Sequence, residues 1–154
     1  MKSNVAPAQP VLTAYDEDFV AWTEQTASLL RSGQLGAVDI VHLAEEIEDM
    51  GKRERKELHS RLVVLLTHLL KWELQPEKRS RSWGSTLITQ RLKIAYLLGQ
   101  SPSLRRRIVT ELEEAYAGAV KIAAVQTGLG KSVFAARCPY SPKQILDDEF
   151  LPEK

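Results

Sequence analysis

Between Leu62 and Leu70 the chain reads LVVLLTHLL, and this run constrains the fold more than any other feature. Wound into a helix, it is apolar almost all round, so it has to be covered on every side. Leu58, Leu62, Leu65, Leu69 and Trp72 mark its main stripe at helical spacing. The run is too short to cross a bilayer, which takes about twenty apolar residues. Other helices of the chain, or a second copy of it, must provide the cover.

The rest of the sequence supplies such helices. Residues 1–14 hold two prolines and little pattern, and read as a flexible lead-in. Asp16 is the expected cap of a first helix carrying Phe19, Trp22, Thr26, Leu29 and Leu30 inward, with Gly33 as its stop. Asp39 caps a second, whose Leu43, Ala44, Ile47 and Met50 share a face. Glu48–Lys52 and Asp49–Arg53 are acid-to-base pairs four apart, the orientation a continuous helix favours. The second and third helices are therefore expected to run on through Gly51, or to meet there in a tight kink. Pro76 disfavours helix at Gln75, so the third ends near Leu74.

A fourth helix is expected between Ser82 and Gly99, with Leu87, Ile88, Leu92, Ala95 and Leu98 inward. Ser101-Pro102-Ser103 reads as the start of a fifth, with a serine cap and proline in the first position. It runs to about Gln126 with Leu104, Ile108, Leu112, Ala115, Ala119, Ile122 and Ala123 inward. Thr127-Gly128 ends it, and Ser141-Pro142 opens a short last turn. No segment alternates with the period of a strand. The expectation is an all-α protein: an antiparallel helical bundle of about five main helices with short terminal helical turns. It forms a single domain over residues 15–150, followed by a tail at 151–154.

Charge is unevenly placed. Residues 1–50 carry nine acidic and two basic side chains; residues 71–107 carry nine basic and two acidic. The basic stretch includes Lys71, Arg79, Arg81, Arg91, Arg105, Arg106 and Arg107, an expected surface for an anion or a partner. The last three fall at the start of the fifth helix, where the dipole repels cations and free N–H groups attract anions. Carboxylates of the chain itself, an acidic partner or phosphate would offset them, and arginine's planar fork suits any of these.

Catalytic motifs are missing. Thr127-Gly128-Leu129-Gly130-Lys131-Ser132 has Val125 where a phosphate loop needs glycine, and follows a helix in place of a strand. His42, Glu45 and Asp49 read as a solvated acidic face, with Glu46 and Glu48 bordering the core. No Glu-x-x-His pair exists for a di-metal bundle. His68 reads as a core histidine with a hydrogen-bond partner and His59 as a surface residue. The single cysteine, Cys138, excludes an internal disulfide and stands in no nucleophile context. The expectation is no metal and no cofactor. The first residues have no apolar signal region, so a cytoplasmic setting is expected.

Several short stretches occur together: Glu45-Glu46-Ile47-Glu48-Asp49-Met50-Gly51, His68-Leu69-Leu70-Lys71-Trp72, Gln75-Pro76, Arg79 and Ser82-Trp83. Tyr15 with Asp18-Phe19, Ser101-Pro102-Ser103-Leu104 and Cys138-Pro139-Tyr140 join them. The combination resembles the bacterial family known as domain of unknown function twenty-nine, over roughly residues 15 to 150. The resemblance implies a compact all-helical protein and lends no catalytic residue. It draws attention to Glu45, Glu46, Glu48, His68, Trp72, Gln75 and Trp83 as a polar network or a site.

The function expected from all this is a non-enzymatic binding module. Its basic surface meets an acidic protein partner, with nucleic acid ranked behind it and no membrane contact. One alternative is a small metal-assisted phosphoester hydrolase using Glu45, Glu46, Glu48 and His68. The other is a structural, self-associating bundle.

Overall fold

The computed structural model describes residues 12–153, and among them every regular element is helical. The helices are α1 (Phe19–Arg31), α2 (Ile40–Leu74), α3 (Arg81–Gln100), α4 (Ile108–Thr127) and α5 (Pro142–Leu146). No helix among them is long and apolar enough to cross a membrane. Most of the expected lead-in, residues 1–11, and Lys154 of the expected tail lie outside the described residues. The chain has two compact units, Met1–Met50 and Gly51–Lys154. Helix α2 is shared between them and passes through Gly51 without a break, so the expected second and third helices are one.

In the first unit, α1 starts two residues later than the expected Asp16 cap. Backbone N–H groups of Glu17 and Asp18 bond to Ala14 O, closing a turn. Asp18 is then the first residue able to cap, and its side chain accepts from Ala21 N at 3.0 Å. The helix ends as expected at Gly33, which takes φ 72°. Gln34 N–H reaches Leu29 O and Gly33 N–H reaches Leu30 O, the paired bonds of a Schellman stop. Trp22, Thr26 and Leu29 are buried, whereas Phe19 and Leu30 are exposed.

Asp39 caps α2 through His42 N. The first turns of α2 are rotated from the expected face. His42, Leu43, Glu46 and Asp49 are half-buried, while Ala44, Ile47 and Met50 are exposed. The cause is Tyr15, whose ring stacks on His42 at 4.3 Å and whose hydroxyl donates to Glu46 Oε1 at 2.6 Å. That hydrogen bond pushes the phenol up to about 12. Thr13 and Gln25 exchange two further bonds, at 2.8 and 2.9 Å.

In the second unit, the apolar run is fully enclosed by this one chain: Leu58, Leu62, Leu65, Leu66 and Leu69 have no exposed surface. Its cover comes from Leu87, Ile94 and Leu98 of α3 and from Leu112, Ala115, Ala119 and Ala123 of α4. Obligate self-association is not needed to bury it. His59 faces Glu111, Val63 touches Gly118, and Lys71 bonds Gln126, so α2 and α4 run in the same direction. Lys71 also meets Trp83, while Glu57 and Arg61 line a groove with Leu92, Lys93 and Leu97; α3 therefore runs the opposite way. The result is an up-down-up set of three helices, with α5 packed on α3 and α4.

Three expectations here need correction. Ile88, Leu92 and Ala95 of α3 are exposed, and Gln90, Arg91, Ile94 and Leu97 lie inside. Ile122 of α4 is likewise exposed. The expected fifth helix begins late: Pro102–Arg107 forms a 3-10 turn, Ser101 makes no side-chain cap, and α-helix starts only at Ile108. The three arginines therefore precede the α-helix, as the unfavourable interaction of cations with its first turn would favour.

Candidate functional site

The turn between α2 and α3 brings together most of the residues singled out around the two tryptophans. Pro76 stops α2, a 3-10 turn spans Pro76–Lys78, and Ser80 caps α3 by accepting from Trp83 N at 3.2 Å. This reversal turns Arg79 back over α2. Its Nε donates to Trp72 O at 2.8 Å, and its guanidinium lies 5.2 Å from the Trp72 ring centre. Trp72 O is one of the carbonyls left without a partner at a helix end, and a cation suits that end.

Lys71 makes the reciprocal contact, with Nζ 4.4 Å from the centre of the Trp83 ring and donating to Gln126 Oε1 at 2.9 Å. Burial lowers its pKa. Gln75 is buried and donates to Thr127 O at 3.4 Å. Lys71 thus ties α2 to α3 and α4, and Arg79, between the tryptophans, folds the turn back onto α2. His68 donates from Nδ1 to Val64 O at 2.9 Å, and desolvation lowers its pKa, as fits a neutral core histidine.

The glutamates do not join this node. Glu46 belongs to the first unit and bonds Tyr15; Glu45 and Glu48 are exposed. On α2, Glu46 and His68 are separated by about six turns. Glu45, Glu46 and Glu48 belong to the first unit and His68 to the second.

The seven basic residues do not form one surface either. Arg91 is 2% exposed. Its Nε, Nη1 and Nη2 donate to Ile145 O, Asp148 O and Phe150 O at 3.0, 3.2 and 2.7 Å. It anchors the end of α5 and the segment after it, and burial lowers its pKa. Lys71, Arg79 and Arg81 lie at one end of α3, and Arg105–Arg107 at the other, about 30 Å away. Arg81 is exposed with no carboxylate within 4.0 Å among the described residues. Arg105 and Arg106 are exposed in the same condition, and only Arg107 approaches an acid, with Nε 3.8 Å from Glu111 Oε1.

Two further clusters were not expected from the sequence. Tyr140 donates to Glu73, while Tyr116 donates to Ala135 O at 2.8 Å, and both phenols are pushed up chiefly by burial. Cys138 lies nearby, half-buried, with its thiol raised by burial; this is the opposite of what an activated nucleophile needs. The second cluster is His59, Glu111 and Glu114, each offering a ligand atom within 4.8 Å of the others. Glu-x-x-Glu at 111–114 was visible in the sequence, but its approach to His59 depends on how α2 and α4 pack.

The family model described as "Domain of unknown function DUF29" matches residues 14–151. No curated protein and no solved structure matches the chain.

Proposed function

Since the chain belongs to the family of Domain of unknown function DUF29, whose description assigns no reaction, we propose that it works as a non-enzymatic binding module, and that Arg105, Arg106 and Arg107 contact an acidic protein partner. The observation that carries this reading is the state of those arginines. Arg105 and Arg106 are exposed on a turn with no carboxylate of the described chain in reach, and Arg107 makes one long contact. Three guanidinium groups at the amino end of the twenty-residue helix α4 add to the positive end of its dipole. Their planar forks suit carboxylates presented on a protein chain.

The test uses the full chain and an immobilised polyglutamate peptide as probe. Wild type is retained at low salt and released as salt rises. Arg105→Ala/Arg106→Ala/Arg107→Ala loses retention while its melting curve is unchanged. Equal retention of wild type and triple variant would refute the assignment. Retention on duplex DNA with a steep salt slope, and none on polyglutamate, would give the surface to nucleic acid instead.

A further inference from the structure

We infer that a second copy of this chain docks on the exposed face of α3 through the first turns of its own α2. Helical periodicity expects two apolar stripes inward that the folded chain leaves in water. One is Ala44, Ile47 and Met50 of α2; the other is Ile88, Leu92 and Ala95 of α3. Exposed apolar residues gathered on one helix face mark a contact surface, whereas scattered ones need no explanation.

The α3 face is apolar over most of its length. Ile88, Leu92 and Tyr96 recur every four residues and are all more than half exposed. Among the exposed residues from Ser82 to Gly99, Lys93 carries the one charge. Leu92, Lys93, Tyr96 and Leu97 form a groove of about 390 Å³ with Glu57 and Arg61 of α2. Glu57 and Arg61 neutralise each other at 2.6 Å. Helix α3 has no acidic residue, so the face keeps the positive charge of Lys93, with Arg81 at its amino end. Its occupant has to bring apolar side chains at helical spacing, flanked by carboxylates.

The first turns of α2 have this chemistry. Ile40, Ala44 and Ile47 share one side of the helix, and all three are exposed. Val41, Glu45 and Glu48 are exposed along one flank of that stripe, and no lysine or arginine occurs from residue 40 to 51. Tyr15 explains why the stripe faces water, because it holds His42 and Glu46 on the opposite side of α2. The two stripes also match in length, at about 12 Å from Ile88 to Tyr96 and about 15 Å from Ile40 to Met50. Lys93 and Glu45 with Glu48 each follow their stripe in the same rotational sense. Two such flanks meet when the helices run antiparallel, which sets the cation against the acids. Each copy carries both faces, and two-fold symmetry closes the exchange into a dimer.

The experiment measures the mass of the full chain by sedimentation velocity between about 1 and 100 µM. Wild type forms a dimer. Leu92→Glu and Ile47→Glu, both changes at exposed positions, are monomers with the wild-type circular dichroism spectrum. Lys93→Glu weakens the dimer about tenfold or more by setting like charges together, and Glu45→Lys/Glu48→Lys does the same. The three changes combined restore it, which a loss of folding in either parent would not allow. Arg105→Ala/Arg106→Ala/Arg107→Ala remains dimeric, which separates this contact from the proposed partner surface. A monomeric wild type throughout that range would overturn the inference. So would a dimer of folded Leu92→Glu, no recovery in the combined charge variant, or a monomer when the three arginines are replaced.

Discussion

Arg91→Ala should destabilise the second unit by about 3 kcal/mol, a figure reached from its three bonds. The guanidinium spans the carbonyls of Ile145, Asp148 and Phe150. Hydrogen bonds from a charged donor contribute about 1.5–3 kcal/mol each, which gives a gross loss above 4 kcal/mol. Removing the charge also removes its own desolvation cost, which offsets part of that loss. Of the three acceptor residues, Ile145 is enclosed, Phe150 is half-buried and Asp148 is exposed. Water can replace the arginine at the latter pair, whereas the enclosed carbonyl is left without a donor at about 1–3 kcal/mol. Loss of packing by the arginine stem supplies the remainder. In a chain of 154 residues, 3 kcal/mol lowers the melting temperature by roughly 10 °C. Thermal and urea melts measure the total. Hydrogen exchange should show the amides of residues 145–150 losing protection first. Arg91→Lys keeps the charge without the fork and should fall between wild type and alanine. A melting temperature for Arg91→Ala within about 2 °C of wild type would refute the reasoning, because the fork would then hold nothing that water does not replace.

Two further outcomes are accessible. The imidazoles of His42 and His68 should titrate on opposite sides of 6.5 by NMR, His42 above it because Asp39 bonds its Nδ1 and His68 below it because of burial. The raised His42 value gives stability that is present below pH 6.5 and lost as pH rises through its folded pKa; the lowered Asp39 value gives stability present above pH 3.8 and lost as pH falls through its folded pKa. The Asp39–His42 pair is therefore best formed between those limits, and Asp39→Asn should return His42 towards 6.5. His68 acts in the other sense, lowering stability as pH falls from 6.5 through its depressed folded pKa; a His68 that titrates above 6.5 would contradict its burial. Gly51 lies inside α2 with nothing within 4 Å of the place a Cβ would occupy. Gly51→Ala should stabilise the protein by about 0.5–1 kcal/mol in urea melts, and a destabilisation would mean that the helix does not run through this point.

How far the sequence is legible depends on whether a residue's partner lies on its own element. The leucine stripe of α2 needs only helical periodicity and full cover, and it was read correctly from Leu58 to Trp72. The stop at Gly33, the cap at Asp39 and the turn at Pro76 are equally local. Helix α3 is different, because it carries two apolar stripes. One passes through Ile88 and Leu92, the other through Leu87, Ile94 and Leu98, with Arg91 in its midst. Hydropathy counts the arginine against the second stripe, so Ile88 and Leu92 are expected inward beside Leu87 and Leu98. Arg91 takes their place because carbonyls more than fifty positions downstream accept all three arms of that arginine. Charge in the sequence therefore gives the sign of a region without saying which side of a helix is wet. Arg91 and Arg105 are the same residue type in one basic stretch, and only Arg91 meets a carbonyl cluster able to accept its donors. The same dependence explains His59, Glu111 and Glu114. Their spacing within each helix is ordinary, and they come together only in the register at which α2 and α4 lie side by side. Polar residues whose partners arrive from another element are where periodicity fails.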